Sequence, residues 1–72
     1  MEIRLFGLLR ESHGKVVHLD WHEGVDGYAV METLGISPKI AAIYVVNNKI
    51  ADPAAALSEN DIVSLLPAAD GG

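Results

Sequence analysis

The end of the chain carries a group that could react, because its last two residues are Gly71 and Gly72. Neither has a side chain, so the terminal carboxylate is sterically open. A carboxylate is inert until it is activated. Coupling to AMP would give an acyl-adenylate, which a sulfur or nitrogen nucleophile can attack. We therefore expect Gly72 to be the group that a partner adenylates.

The residues before this glycine form a short tail that could carry it into another protein. Residues 67–72 can extend by about 20 Å, at up to ~3.3–3.6 Å per residue. The tail follows directly on an apolar segment that reads as a strand, so it would be anchored at a defined point. We expect these residues to thread the active site of a partner: Pro67, Ala68, Ala69, Asp70 and Gly71.

Other residue types that carry chemistry do not converge in the sequence. His18 and His22 would lie roughly 13 Å apart on one strand at about 3.3 Å per residue, whereas Zn–N bonds are about 2.0–2.1 Å. His13 falls in a polar stretch, and we interpret all three histidines as surface residues. The chain has no cysteine and no GxxxxGK loop for phosphate. We expect no metal site, no bound cofactor and no catalysis by this chain, so a partner would have to bind the ATP.

Composition narrows the class of partner. The chain has 72 residues, half of them apolar, with ten acidic and five basic side chains. This is enough for one small domain, and scattered cations argue against nucleic-acid binding. The acidity is explained by solubility or by attraction to a basic partner surface. No apolar run approaches the roughly 20 residues of a membrane span, and no signal peptide is recognisable, so we expect a cytoplasmic protein.

Alternating apolar residues predict two strands in the first third of the chain. The pattern covers residues 2–8 and 16–22, and the polar stretch 10–15 between them contains Gly14, which favours a turn. Val17, Leu19 and Trp21 would share the core face of the second strand. We therefore predict an N-terminal β-hairpin.

The rest of the chain predicts one helix and further strands. Residues 27–34 show apolar side chains at helical spacing, with Asp26 placed to cap the start and Gly35 to end the helix. The apolar run 40–46 predicts a buried central strand, followed by a tight turn at Asn47 and Asn48. Residues 62–66 predict the last strand, which Pro67 ends.

This order of elements is typical of an α+β protein with a β-grasp fold. We predict a mixed sheet of four to five strands packed on one main helix, with the C-terminal strand beside the N-terminal one. The β-grasp domain would cover residues 1–66, and residues 67–72 would be a flexible tail. One face of the sheet would pack the helix, and the other would stay open.

The open face is the predicted docking surface. Alternation places Arg4 and Phe6 opposite the core face of the first strand, and Ile62 and Leu66 on the same side of the last strand, with Ser64 between them. Exposed apolar patches of this kind mark interfaces. The alternative is that Phe6 belongs to the core.

Three segments resemble the ubiquitin-like sulfur carriers of the molybdopterin-synthase small-subunit and thiamine sulfur-carrier families. They are IRLFGLLRE, VVNNKIAD and LSENDIVSLLPAADGG. The resemblance implies that an E1-like enzyme adenylates Gly72 with ATP and Mg²⁺. A sulfur donor such as a persulfide then gives a thiocarboxylate. It also implies that a synthase takes the sulfur, namely the large subunit of molybdopterin synthase or thiazole synthase.

The sequence departs from the family pattern at two places. Asn60-Asp61 stands where Gly-Asp is usual, and we expect Asn60 to tolerate the left-handed turn. Pro67 is followed by Ala68, where molybdopterin-type carriers often have a second proline. LFGLLRE resembles the molybdopterin type and the short segment 34–50 the thiamine type. We slightly favour the molybdopterin or tungsten cofactor over thiamine thiazole.

Two other functions are compatible with the same sequence. Activated Gly72 could form isopeptide bonds with lysines, as a ubiquitin-like protein modifier does. The chain could also be a β-grasp interaction module whose terminal glycines do no chemistry.

Overall fold

The computed structural model of the protein describes residues 1–68, which form one five-stranded sheet with two helices. The strands lie in the order β2-β1-β5-β3-β4. β1 and β5 run parallel, and the other neighbours are antiparallel. The elements are β1 (Glu2–Leu5), α1 (Leu8–His13), β2 (Val16–His18), α2 (Gly27–Leu34), β3 (Ile43–Val46), β4 (Lys49–Ile50) and β5 (Ile62–Leu66). This is the predicted β-grasp fold.

Alternation along the two parallel strands builds the core. Ile3 and Leu5 of β1 and Val63 and Leu65 of β5 are at most 1% exposed, because successive side chains of a strand point to opposite faces. The other buried apolar side chains come from both helices, β3 and the loops: Leu9, Val25, Val30, Met31, Ile36, Ala41, Tyr44 and Leu57.

The helix α2 begins and ends as its sequence predicts. Asp26 Oδ1 accepts the Ala29 N–H at 2.9 Å, which satisfies one of the free donors of the first turn. Gly35 has a φ of 71° and its N–H bonds back to the last turn. Gly27 has no side chain, so the ring of Tyr44 packs directly against the start of this helix.

The connection between β1 and β2 differs from the predicted turn. Residues Leu8–His13 form a helix, so the two strands pair antiparallel without a tight hairpin turn. Leu9 is the buried residue of this helix. The helix is too short for a repeating pattern of apolar residues to be recognised in the sequence. The prediction of a turn over residues 10–15 is therefore wrong, although the pairing of the strands is confirmed.

Three strands are shorter than predicted, and the first of them, β1, ends at Leu5 and not at residue 8. β2 ends at His18, but Val17, Leu19 and Trp21 still pack against the core, as their alternation predicts. β3 begins at Ile43, because residues 37–41 form a turn in which the Ala41 N–H donates to Ser37 O at 3.0 Å. The central strand of the sheet is β5 and not β3.

The helices of residues 1–68 are short. None of them is long and apolar enough to cross a membrane.

Candidate functional site

The side of the sheet opposite α2 carries the predicted docking residues. Alternation sends them away from the buried face, and the strand register makes them neighbours: Arg4 lies beside Ser64, which lies beside Val45. Leu66 in turn lies beside Ile43. We call this surface the open face and define it as Arg4, Phe6, Ile43, Val45, Ile62, Ser64 and Leu66.

Phe6 lies next to Leu66 at one end of the open face. Its N–H donates to Leu65 O at 3.2 Å, so the parallel pairing of β1 and β5 continues one residue beyond β1. In a parallel ladder this bond sets Phe6 level with Leu66. Phe6 is half-buried, and the Arg10 guanidinium lies 5.6 Å from its ring centroid. Phe6 is thus distinct from the fully buried core of Ile3 and Leu5.

Charge on the open face lies beside its apolar residues. Arg4 Nε donates to Glu2 Oε2 of the same strand, and both side chains are partly exposed. Exposed pairs of this kind contribute at most about 1 kcal/mol, so a partner carboxylate can take over the guanidinium at little cost. Arg4 is therefore available for the predicted contact.

The root of the tail adjoins this surface. β5 ends at Leu66, and Pro67 is half-buried against Gly7. Pro67 has no N–H with which to continue the ladder, and the carbonyl of Phe6 accepts the Leu9 N–H of α1 instead. Ala68 is exposed. The other tail residues, Ala69, Asp70, Gly71 and Gly72, lie outside the described residues, so their roles stay predictions.

The side chains of Asn47 and Asp61 hold the start of β5 in place. Asn47 Nδ2 donates to Asp61 Oδ1, and the Ile62 N–H donates to Asn47 Oδ1, both at 2.9 Å. Asp61 Oδ2 also accepts the Ser58 N–H at 2.7 Å. This network joins the turn after β3 to the first residue of β5.

Two asparagines of the described chain have a left-handed backbone, and neither of them is Asn60. Asn47 and Asn48 have φ values of 51° and 69° and form the predicted turn between β3 and β4. Asn60 is not among the residues with positive φ. The expectation of a left-handed turn at Asn60 is therefore wrong, and Asp61 accepts its hydrogen bonds from Asn47 and Ser58 without one.

The histidines show one clear departure from the surface interpretation. His18 and His22 are exposed, as predicted, but His13 ends α1 half-buried, with Nε2 2.8 Å from Leu34 O. Within residues 1–68, no three His, Cys, Asp or Glu side chains gather as metal ligands. The sequence carried no signal for the contact of His13, because its partner is a backbone carbonyl 21 residues away.

Tyr44 is the other polar residue that the sequence reading missed. Its side chain is 5% exposed, and its hydroxyl finds no hydrogen-bond partner among the described residues. Burial, with smaller contributions from the negative charges of Asp26 and Asp61, raises the pKa of Tyr44 to about 12. Tyr44 lies on the core face and not on the open face, and with this pKa its phenol keeps its proton at neutral pH.

Comparison with known proteins identifies the family of this chain. The sequence profile of the ThiS family matches residues 3–72, a range that takes in the open face, the tail root and the terminal glycines. No curated protein matches the chain significantly. Members of the matched family are small ubiquitin-like sulfur carriers, generally non-catalytic, that work with E1-like and synthase partners. The chain belongs to the ThiS family and is a sulfur carrier of cofactor biosynthesis.

Proposed function

We propose that Gly72 is the sulfur-carrying residue and that an E1-like enzyme activates it. The Gly72 carboxylate attacks the α-phosphorus of ATP, with Mg²⁺ on the phosphates, and pyrophosphate leaves. A persulfide sulfur then attacks the acyl carbon. The bond between this carbon and the phosphate oxygen breaks, and AMP leaves. A second thiol cleaves the resulting S–S bond and leaves the thiocarboxylate for the synthase. The observation that carries this proposal is the family match, which runs through Gly72.

The described part of the chain supports the proposal through its surface. The open face combines half-buried apolar side chains and the exposed Ile43 with Arg4, and it ends at the root of the tail. A partner that docks there holds the root at a fixed place, so the tail has only about 20 Å or less to cover, at ~3.3–3.6 Å per residue. Docking thereby raises the effective concentration of the carboxylate at the partner's active site. This chain binds and presents, and its partner supplies the nucleotide chemistry.

The pathway is the finer part of the proposal. The segment LFGLLRE includes Phe6, Gly7 and Arg10, and it favours the molybdopterin or tungsten cofactor. The thiamine thiazole pathway is the alternative, favoured by the short connection from α2 to β3. The thiocarboxylate form offered in parallel to molybdopterin synthase and to thiazole synthase should lose its sulfur to the first of these. Transfer to thiazole synthase alone would reverse the assignment.

Exchange of labelled pyrophosphate into ATP tests the activation step. An E1-like adenylating enzyme of either pathway should catalyse this exchange only when the chain is present. A variant that lacks Gly72 has an identical folded domain and is the matched control, and it should support none. Equal exchange with both chains would contradict the assignment to Gly72. If activation occurs but the products are isopeptide adducts on lysines, the chain is a protein modifier.

A further inference from the structure

Gly7 leaves the space that the ring of Pro67 fills. A β carbon built on Gly7 would lie 2.8 Å from Pro67 Cγ and 3.4 Å from Cδ. The first distance is closer than carbon atoms approach without displacement. Gly7 also has a φ of 61° and a ψ of −135°, a conformation that side chains oppose. Any other residue type here would therefore press on the first residue of the tail.

Gly7 cannot move aside, because the chain is fixed on both sides of it. The residue before it bonds to β5 through the Phe6 N–H and Leu65 O at 3.2 Å. The carbonyl of Gly7 itself accepts the Arg10 N–H of α1 at 3.1 Å. Strand and helix thus hold the glycine in place, and the ring of Pro67 rests on it.

Pro67 itself also restricts the direction in which the tail begins. Its ring restricts its own φ to about −65°, so the backbone direction at Pro67 has little freedom once the ring is in place. Leu66, one residue earlier, is paired with Ile43 of β3. The tail therefore leaves the sheet in a direction set by β5 on one side and by Gly7 on the other.

We infer that Gly7 is a positioning residue for the adenylation of Gly72, and that it acts by seating Pro67 so that the tail leaves towards the partner's active site. This inference rests on the proposed function. Held extended in the partner's active site, residues 68–72 would span up to about 17 Å, so a turn of about 10° at the root would move the far end by about 3 Å. A misplacement of about 1 Å can lower a rate about 100-fold.

Steady-state pyrophosphate exchange with an E1-like adenylating enzyme tests the inference, with three variants of the whole chain as co-substrates. They are Gly7→Ala, Pro67→Ala and the double variant. Gly14→Ala is the matched control, because Gly14 also has a positive φ, 87°, but a β carbon there would meet nothing within 4 Å. Thermal unfolding of each variant first identifies a temperature at which all are folded.

We expect Gly7→Ala to lower kcat about tenfold or more with KM nearly unchanged, because the open face still docks while the carboxylate is misplaced. Gly14→Ala should leave both parameters within about twofold of the original chain. Pro67→Ala should lower kcat by a smaller factor. The double variant should lose less than the product of the two single losses, because the methyl group then has no ring to displace and only the backbone strain at a φ of 61° remains.

Three results would overturn the inference. Gly7→Ala and Gly14→Ala could have the same effect, or the losses of Gly7→Ala and Pro67→Ala could multiply in the double variant. If Gly7→Ala does not fold, an unchanged kcat for Pro67→Ala would overturn the inference in its place. Absence of exchange with the original chain is a different outcome, since it contradicts the proposed function first and this inference with it.

Discussion

His13 Nε2 lies 2.8 Å from the carbonyl oxygen of Leu34, and this contact joins the end of α1 to the end of α2. A carbonyl oxygen can only accept, so Nε2 carries the proton and donates. The last carbonyls of a helix have no partner within the helix, and His13 supplies one for α2. The contact crosses between the two helices, so it also fixes how α1 lies over the core.

Replacement of His13 should therefore lower the stability of the fold. We expect His13→Ala to reduce the free energy of unfolding by about 1 to 2 kcal/mol, because a half-buried carbonyl loses its donor. His22→Ala is the control, since His22 is exposed, and it should change the value by less than about 0.5 kcal/mol. Urea unfolding followed by the fluorescence of Trp21 measures both. Equal effects of the two variants would show that the contact with Leu34 adds nothing.

Tyr44 should make the free energy of unfolding fall at alkaline pH. Its pKa is raised from 10.0 to about 12 in the fold, so between these values the folded chain keeps a proton that the unfolded chain loses. Stability from this group is complete below pH 10 and is lost as pH rises towards 12. The loss should reach about 2 to 3 kcal/mol, since one pKa unit corresponds to about 1.4 kcal/mol.

Two phenylalanine variants isolate this dependence. Tyr44→Phe should flatten the fall in unfolding free energy between pH 10 and 12, with little cost at pH 7, because the buried hydroxyl has no partner among the described residues. Tyr28→Phe is the matched control, since Tyr28 is 48% exposed, and it should keep the slope of the original chain. Identical slopes for both variants would assign the alkaline loss to other groups.

Asn47 should be sensitive to a change of charge. Asn47→Asp replaces the Nδ2 donor by an oxygen 2.9 Å from Asp61 Oδ1, so two carboxylates would face each other. We expect a loss of about 1 to 3 kcal/mol at pH 7, which diminishes as the pH falls and one of the two carboxyls takes up a proton. Asn48→Asp adds the same charge in the same turn at a similar φ of 69°.

Comparison of the two aspartate variants across pH separates charge from backbone effects. The free energies of unfolding should differ most near neutral pH and converge in acid. A constant difference at every pH would mean that the Asn47–Asp61 bond does not decide the outcome.

The docking role of the open face can be tested at Phe6. Phe6→Ala should weaken binding to an E1-like partner about tenfold or more, since truncated aromatic anchors commonly lose over 1 kcal/mol of binding. The melting temperature should fall far less than for a buried phenylalanine, whose replacement by alanine costs about 3 to 5 kcal/mol. Leu8→Ala is the control, because Leu8 is 69% exposed on the neighbouring α1. A large fall in melting temperature with Phe6→Ala would place Phe6 in the core.

The parts of the fold that the sequence predicted are those with a local physical cause. The cap at Asp26, the left-handed Gly35 and the alternation of residues 62–66 each act over a few residues, and all three are confirmed. The helix α1 was missed, since its six residues bury only Leu9. Its stability comes from contacts that are distant in sequence, and no period reveals those.

The candidate site likewise has a part that the sequence predicted and a part that it did not. Alternation placed Arg4, Ile62 and Leu66 on one face correctly, because the side-chain period of a strand is fixed. The contact of Gly7 with Pro67 spans 60 positions and depends on the parallel pairing of β1 with β5. A glycine that is needed for the space it leaves looks, in sequence, like any other glycine.

Activation of Gly72 is the central claim, and the intact mass of the chain isolated from its own cells tests it most directly. Part of the protein should be heavier by the exchange of one oxygen for one sulfur, and fragmentation should place that change on Gly72. Treatment with an acceptor synthase should return the mass to that of the carboxylate. An unchanged mass throughout, with the change still missing after incubation with an E1-like enzyme, ATP and sulfide, would contradict the account.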